Sequence, residues 1–315
     1  MRPLIAFAAC MLAACATPSP EPRTAPLVDY HEHLVSAAFA PFVQLPQRDG
    51  AELVRRLDSA GFDRAVVLSV AYTYGDERKP IPEQDRDRMT RQENDWTSAQ
   101  VVANSPRLVG FCSANPLRDA ALDELQRCLK LPGMVGIKQH WGNSGVTLRN
   151  PAHLARMQQV FALAERLRVP VLVHMRARGG LNYGAEDARI FVEKLLPVAP
   201  DVDVIVAHFA GGGDYSDDLD QVMSAFVEAA QRHVSATKNL YFDLAGVVTA
   251  DATPHLCALV AERIRQIGPT HILYGSDTLP PGGSIQAGWE IFRSKVALTA
   301  GEFQTIMSNR LSFIR

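Results

Sequence analysis

Eight short apolar runs recur along the chain, most of them followed by a loop and then by a stretch with helical spacing. They occupy positions 27–31, 65–70, 108–113, 135–140, 169–174, 204–208, 240–244 and 271–276. Continuous apolar runs of this length read as strands, and strands alternating with helices imply a parallel sheet. Eight such units predict a single-domain α/β fold, the closed (β/α)8 or TIM barrel. The competing doubly wound sheet usually shows a glycine-rich phosphate loop after its first strand. Here the first run leads into Asp29-Tyr30-His31-Glu32-His33, so the barrel is preferred.

The intervening helices carry their own signals. Positions 117–131 follow the punctuation Asn115-Pro116. Positions 151–167 open with Asn150 as N-cap and Pro151 in the first turn, and Leu154, Met157, Phe161 and Ala164 form an apolar stripe. Positions 218–233 repeat the stripe with Leu219, Val222, Met223 and Phe226, and Thr299 with Glu302 fits a capping box for the last helix. The charged segment 75–94 has no apolar pattern and is expected to form a loop or lid over one barrel mouth.

The N-terminus reads as an address. Arg2 precedes a small and apolar stretch over 4–16, which suits a signal-peptide core and is too short to span a bilayer. It ends in Leu12-Ala13-Ala14-Cys15, which resembles a bacterial lipobox with Cys15 as the lipidated residue. Ordinary cleavage after Ala16 is the rival, and Cys10 is a poorer acceptor because Phe7 stands three residues before it. Pro18, Pro20, Pro22 and Pro26 then make an extended tether. The expected organisation is a lipoprotein signal peptide over 1–14, lipidated Cys15 and a Pro-rich tether over 15–26, and the barrel over 27–315. That places the protein on the periplasmic side of a bacterial envelope, lipid-anchored to the outer membrane. Cys112, Cys128 and Cys257 are odd in number and set among apolar neighbours, so reduced core cysteines are expected.

Charge narrows the partners. Lys and Arg number 32 against 34 Asp and Glu, a net charge of −2. No basic excess is present to neutralise a phosphate backbone, so nucleic acid is not an expected partner. A small molecule is.

Titratable residues gather at the ends of the runs. His31 and His33 close the first, Lys138 and His140 the fourth, His174 the fifth and His208 the sixth, while Asp277 follows the eighth. In a TIM barrel these ends converge on the face where catalysis takes place. His31 and His33 are two apart, so on a regular strand they share one face with Cα atoms roughly 7 Å apart. Two imidazoles so placed can reach one ion, and His174 and Asp277 would complete a mixed nitrogen and oxygen set. Such a set suits Zn²⁺, and Mn²⁺, Fe²⁺ or Co²⁺ as well. Arg176 and Arg178, just after His174, suit a carboxylate-bearing substrate. His140 is expected to contact substrate or support the site rather than bind metal. Trp141, Tyr183 and Phe209 are placed to line an apolar wall. His153, His233 and His255 fall in helical stretches, and His271 starts a strand at the far end.

These motifs together resemble the amidohydrolase superfamily, in particular the branch related to aminocarboxymuconate-semialdehyde decarboxylase. The carriers are Val28-Asp29-Tyr30-His31-Glu32-His33, Gly136-Ile137-Lys138-Gln139-His140, Val173-His174, Ala207-His208 and Tyr274-Gly275-Ser276-Asp277. Weaker matches are Glu93-Asn94-Asp95-Trp96, Gly110-Phe111-Cys112-Ser113 and the stretch through Asn309, so the likeness spans nearly everything from Leu27 onward. The resemblance implies metal ligation by His31, His33, His174 and Asp277. It implies that His208 is a further ligand or the acid/base and carbonyl-polarising residue. Lys138 stands where binuclear relatives carry a carboxylated lysine, though one ion is preferred here over two. Thr278-Leu279-Pro280 departs from the commoner aromatic-proline pattern after the aspartate, which affects the substrate pocket and not the ligand.

The implied activity is attack of metal-activated water on an amide, lactone or ester carbonyl, with Asp277 taking the water proton and His208 stabilising the oxyanion. The runner-up is metal-dependent decarboxylation of a small unsaturated or aromatic acid. A tethered binding protein without turnover and a metal-dependent nuclease are more distant readings.

Overall fold

The structure, a computed structural model, describes residues 24–175, 183–213, 215–279 and 283–314. The signal peptide, Cys15, most of the tether, Arg176 and Arg178 lie outside the described residues. Eight strands form one all-parallel sheet in sequence order: β1 (Val28–Glu32), β2 (Arg64–Leu68), β3 (Leu108–Ser113), β4 (Met134–His140), β5 (Val171–His174), β6 (Val204–Val206), β7 (Leu240–Asp243) and β8 (Ile272–Leu273). The ring closes through backbone bonds, Tyr30 N–H to Tyr274 O at 2.9 Å and Asp277 N–H to His31 O at 2.8 Å. This is the TIM barrel that the eight runs predict.

Its interior is layered. Val28, Tyr30, Val66, Leu68, Phe111, Leu172, Ile205 and Leu273 pack inside the ring, and Leu311 and Ile314 from the C-terminus join them as a floor. Tyr30 anchors that floor by accepting from Leu311 N–H at 2.8 Å. Above this apolar layer the strand ends turn polar. The larger apolar cluster lies between sheet and helices, where Met157 and Phe161 of the helix Pro151–Leu167 and Val222, Met223 and Phe226 of Asp217–Arg232 are buried. The caps fall where the side-chain chemistry places them: Asn150 accepts from Ala152 and His153 N–H, and Thr299 and Glu302 form the reciprocal box.

Two expectations are corrected. Segment 75–94 is not a loop, because the long helix Glu83–Ala103 occupies most of it. Its inner face is polar, with Arg86, Thr90, Glu93, Asn94 and Thr97 buried, which hides it from a search for apolar periodicity. Asn94 holds it down by accepting from Ser69 Oγ (2.8 Å) and Ser113 N–H (3.1 Å) and donating to Ser113 O (2.9 Å).

Cys112 and Cys128 are not reduced. They form a disulfide between β3 and the helix Ala121–Cys128, with Cα atoms 5.9 Å apart, and Cys257 is the free cysteine among the described residues. The run of apolar neighbours signalled burial correctly, and burial does not report pairing. Replacing both by alanine is expected to lower unfolding free energy by about 3 kcal/mol for a loop of this size. Chemical denaturation under non-reducing conditions measures it.

Candidate metal centre

Three backbone irregularities aim the predicted side chains at one mouth. On β1 the pairing register shifts between Asp29 and Glu32. Val28 and Tyr30 face the barrel floor, and strict alternation would turn the odd-numbered His31 and His33 outward. The bulge resets the alternation, so both imidazoles enter the interior instead. His208 follows inward Ala207 and is likewise out of phase. It reaches the mouth through left-handed backbone at His208 (φ 53), Phe209 (φ 52) and Ala210 (φ 63). Asp277 (φ 47) is left-handed too, and Gly275 leaves room beside it: a Cβ there would come within 2.7 Å of His31 Cβ. Left-handed non-glycine residues each cost about 1–3 kcal/mol, strain typical of functional sites.

Hydrogen bonds assign a tautomer to each histidine. His31 Nδ1 lies 2.9 Å from Asp243 Oδ2, His33 Nδ1 2.7 Å from Leu68 O and His208 Nδ1 2.7 Å from Ala245 O. Each partner is an acceptor, so Nδ1 carries the proton and Nε2 keeps its lone pair, the form a metal ligand needs. His140 is the reverse: its Nδ1 accepts from Asn143 N–H at 3.2 Å, which puts the proton on Nε2. His174 Nδ1 contacts His208 Nε2 at 3.1 Å. Since His208 offers a lone pair there, His174 is the donor and keeps its own lone pair at Nε2. Burial favours the neutral form of three of them, pushing His33 down to about 4 and His31 and His140 well below the usual range.

The donor atoms of His31, His208 and Asp277 all lie within 4.8 Å of one another. His33 Nε2 joins them 3.8 Å from Asp277 Oδ1, and His174 joins through His208 while stacking on His140 with centroids 3.9 Å apart. Lys138 is fully buried beside the cluster, and burial pulls its amine down to about 8. The described residues singled out for the chemistry are thus contiguous, and of the four expected ligands His31 and Asp277, together with His208, have donor atoms within 4.8 Å of one another. Trp141 and Phe209 are not wall residues: Trp141 packs on Phe191 at 5.8 Å and Phe209 on Phe242 at 5.9 Å, both in the core. Tyr183 donates its hydroxyl to Ala210 O at 2.6 Å, steadying the left-handed turn.

Sequence reasoning missed the carboxylates that support these groups. Asp243 ends β7, and its position at a strand end was the available signal. It accepts from His31, from His208 N–H at 2.9 Å and from Ala245 N–H at 3.1 Å. Asp29 and Glu32 lie behind β1, with Ser276 Oγ between them, 2.6 Å from Glu32 Oε1 and close to Asp29 Oδ2. One hydroxyl has one proton, so a carboxyl must supply a second. Asp29 is that group, since burial and the Glu32 charge both push its pKa up. Asp243→Asn removes the anion that orients His31, and divalent-metal affinity is expected to fall about 10–100-fold. Competition with a chromophoric chelator measures it, and unchanged affinity would contradict this role.

The donor set suits a metal. His31 Nε2 is buried with no hydrogen-bond partner, an orphaned lone pair that an ion would satisfy, and neutral imidazoles with a carboxylate match divalent transition ions.

Comparison with known proteins agrees. The family model described as amidohydrolase matches residues 28–309, and the chain belongs to that family. It is an enzyme of the amidohydrolase superfamily, for which a divalent metal is the expected cofactor. Solved structures share the fold at low identity. A dihydroxybenzoic acid decarboxylase from a Polaromonas species, with bound manganese and the inhibitor 2-nitroresorcinol, is 16% identical with TM-score 0.64 over 92% of this chain and 97% of that one. The 2,6-dihydroxybenzoate decarboxylase from Rhizobium is 17% identical with TM-score 0.63 over 90% and 96%. A probable 2-pyrone-4,6-dicarboxylic acid hydrolase from Acinetobacter baumannii, with citric acid bound, is 16% identical with TM-score 0.55 over 89% and 95%. No curated protein sequence matches the chain.

Proposed function

We propose that the protein hydrolyses an amide, lactone or ester bond of a small molecule with one divalent cation, Zn²⁺ by preference. His31, His33 and His174 would hold it through Nε2, with Asp277 as the oxygen ligand. Such an ion, when bound, polarises a carbonyl and acidifies water. Asp277 accepts the proton of the attacking water at its carboxylate. Asp277 then returns that proton to the leaving group, while His208, accepting from His174 at Nε2, positions that ring. The apolar floor seals the barrel below the reacting centre.

The observation that carries this reading is the state of Asp277. Around the histidine cluster, Asp29, Glu32 and Asp243 are fully buried with their oxygens engaged in hydrogen bonds. The Asp277 side chain is 29% exposed, and its carboxylate accepts no hydrogen bond among the described residues. Of these four carboxylates it is the one that faces water without a donor on its oxygens among the described residues. Decarboxylation of a small acid is the second reading, supported by the fold likeness to two decarboxylases. Purified protein assayed with lactones, amides, esters and carboxylated aromatics, with and without chelator, separates them. Chelator-sensitive hydrolysis is expected, and evolution of CO₂ in place of hydrolysis products would overturn it.

We further propose export and anchoring through Cys15. The Cys112–Cys128 disulfide supports an oxidising compartment. Labelled palmitate should enter the wild-type protein and not Cys15→Ser.

A further inference from the structure

β4 presents two groups to the mouth that the proposed chemistry does not use. Lys138 and His140 are two apart on the strand and share its inward face with Gly136, where a Cβ would come within 2.6 Å of the Phe111 ring in the floor. Lys138 is fully buried, and its Nζ has no hydrogen-bond partner among the described residues. A lysine closed off from water without a partner is costly, and chains rarely retain one. The carboxylates facing it are Asp243 and Asp277. Asp243 is already committed to three N–H donors, and Asp277 is the proposed base and ligand. His140 stands beside it as a fixed donor. Its ring is held between His174, at 3.9 Å and 17°, and Tyr72 at 4.8 Å, and Asn143 N–H on Nδ1 leaves Nε2–H to donate.

We propose that Lys138 and His140 form a subsite for a carboxylate of the substrate, Lys138 supplying the charge and His140 the oriented hydrogen bond. An anion bound by the ammonium is favoured by that charge, and by the charge of a cation in the neighbouring site. This deepens the reading of the mouth as a catalytic site, and it restricts the substrates to small acids, including lactones or amides that carry a second, unreacted carboxylate. Tyr72 adds an aromatic edge beside His140, which suits a planar molecule.

The test uses the purified full chain, with metal and after chelation, and titrates benzoate against benzamide by calorimetry. Benzoate should bind in both states and benzamide at least tenfold more weakly. A charge-assisted contact of this kind predicts a loss of about 10–100-fold in benzoate affinity for Lys138→Met. His140→Phe should lose about 3–10-fold, as for one neutral hydrogen bond, with benzamide unchanged. Lys138→Met removes a buried unpaired charge and should fold, and a thermal melt checks this. Absent benzoate binding, equal binding of the two probes, or benzoate affinity indifferent to both substitutions would each overturn the subsite. So would a carbamate carbon signal on Lys138 after equilibration with ¹³C-bicarbonate, because a carbamate is itself an anion. Benzoate binding without any turnover would leave the subsite standing and remove the catalytic reading instead.

Discussion

Asp277→Asn is expected to fold and to lose about 10²–10⁴-fold in turnover, the usual worth of a positioned proton acceptor. The amide keeps the size of the carboxylate and can still accept a hydrogen bond, but it cannot take a proton from water. Local backbone should tolerate it, since asparagine is among the residues that adopt left-handed φ most readily, and position 277 has φ 47. Its main-chain N–H would still donate to His31 O at 2.8 Å, so the closure between β8 and β1 survives. The measurement is kcat on whichever substrate the panel identifies, beside a thermal melt. Turnover within tenfold of wild type in a folded variant would remove Asp277 from the chemistry and leave His208 as the proton acceptor.

Arg48→Met should be the most damaging single change to stability, by about 3–5 kcal/mol. Arg48 is 6% exposed and lies behind the site, where its guanidinium ties three segments together. It donates to Glu32 Oε2 at 3.3 Å, to His33 O, and to Thr278 O and Oγ1 at 2.9 and 3.2 Å. Glu32 is fully buried, so removing Arg48 leaves an uncompensated charge rather than merely deleting a contact. Denaturant titration measures the loss. Adding Glu32→Gln should recover a large part of it, because the stranded charge is then gone. A loss below about 1 kcal/mol, the range of an exposed pair, would show that water reaches Glu32.

The ligand histidines and the support behind them were not equally legible. His31, His33, His174 and Asp277 each sit at or just beyond an apolar run, and a parallel barrel brings such ends together whatever the details. Arg48 and Asn94 offered no such cue. Arg48 lies between recognisable elements, and Asn94 lies on a helix whose buried face is polar. Their importance comes from partners far away in sequence, such as Thr278 for Arg48. The disulfide failed for a related reason: Cys112 and Cys128 look like core cysteines locally, and only their 5.9 Å Cα separation in space makes them a pair.

By itself the order of apolar runs and helical stretches determined the barrel and which strand ends meet at its mouth, because burial and periodicity are local properties of a chain. The roles at that mouth were decided in three dimensions. A register slip on β1 turned His31 and His33 inward, and left-handed backbone did the same for His208. Asp243, Leu68, Ala245 and Asn143 then set which ring nitrogen of each histidine carries the proton. A histidine's identity is written in the sequence, but its tautomer depends on whichever donor or acceptor the fold sets against it.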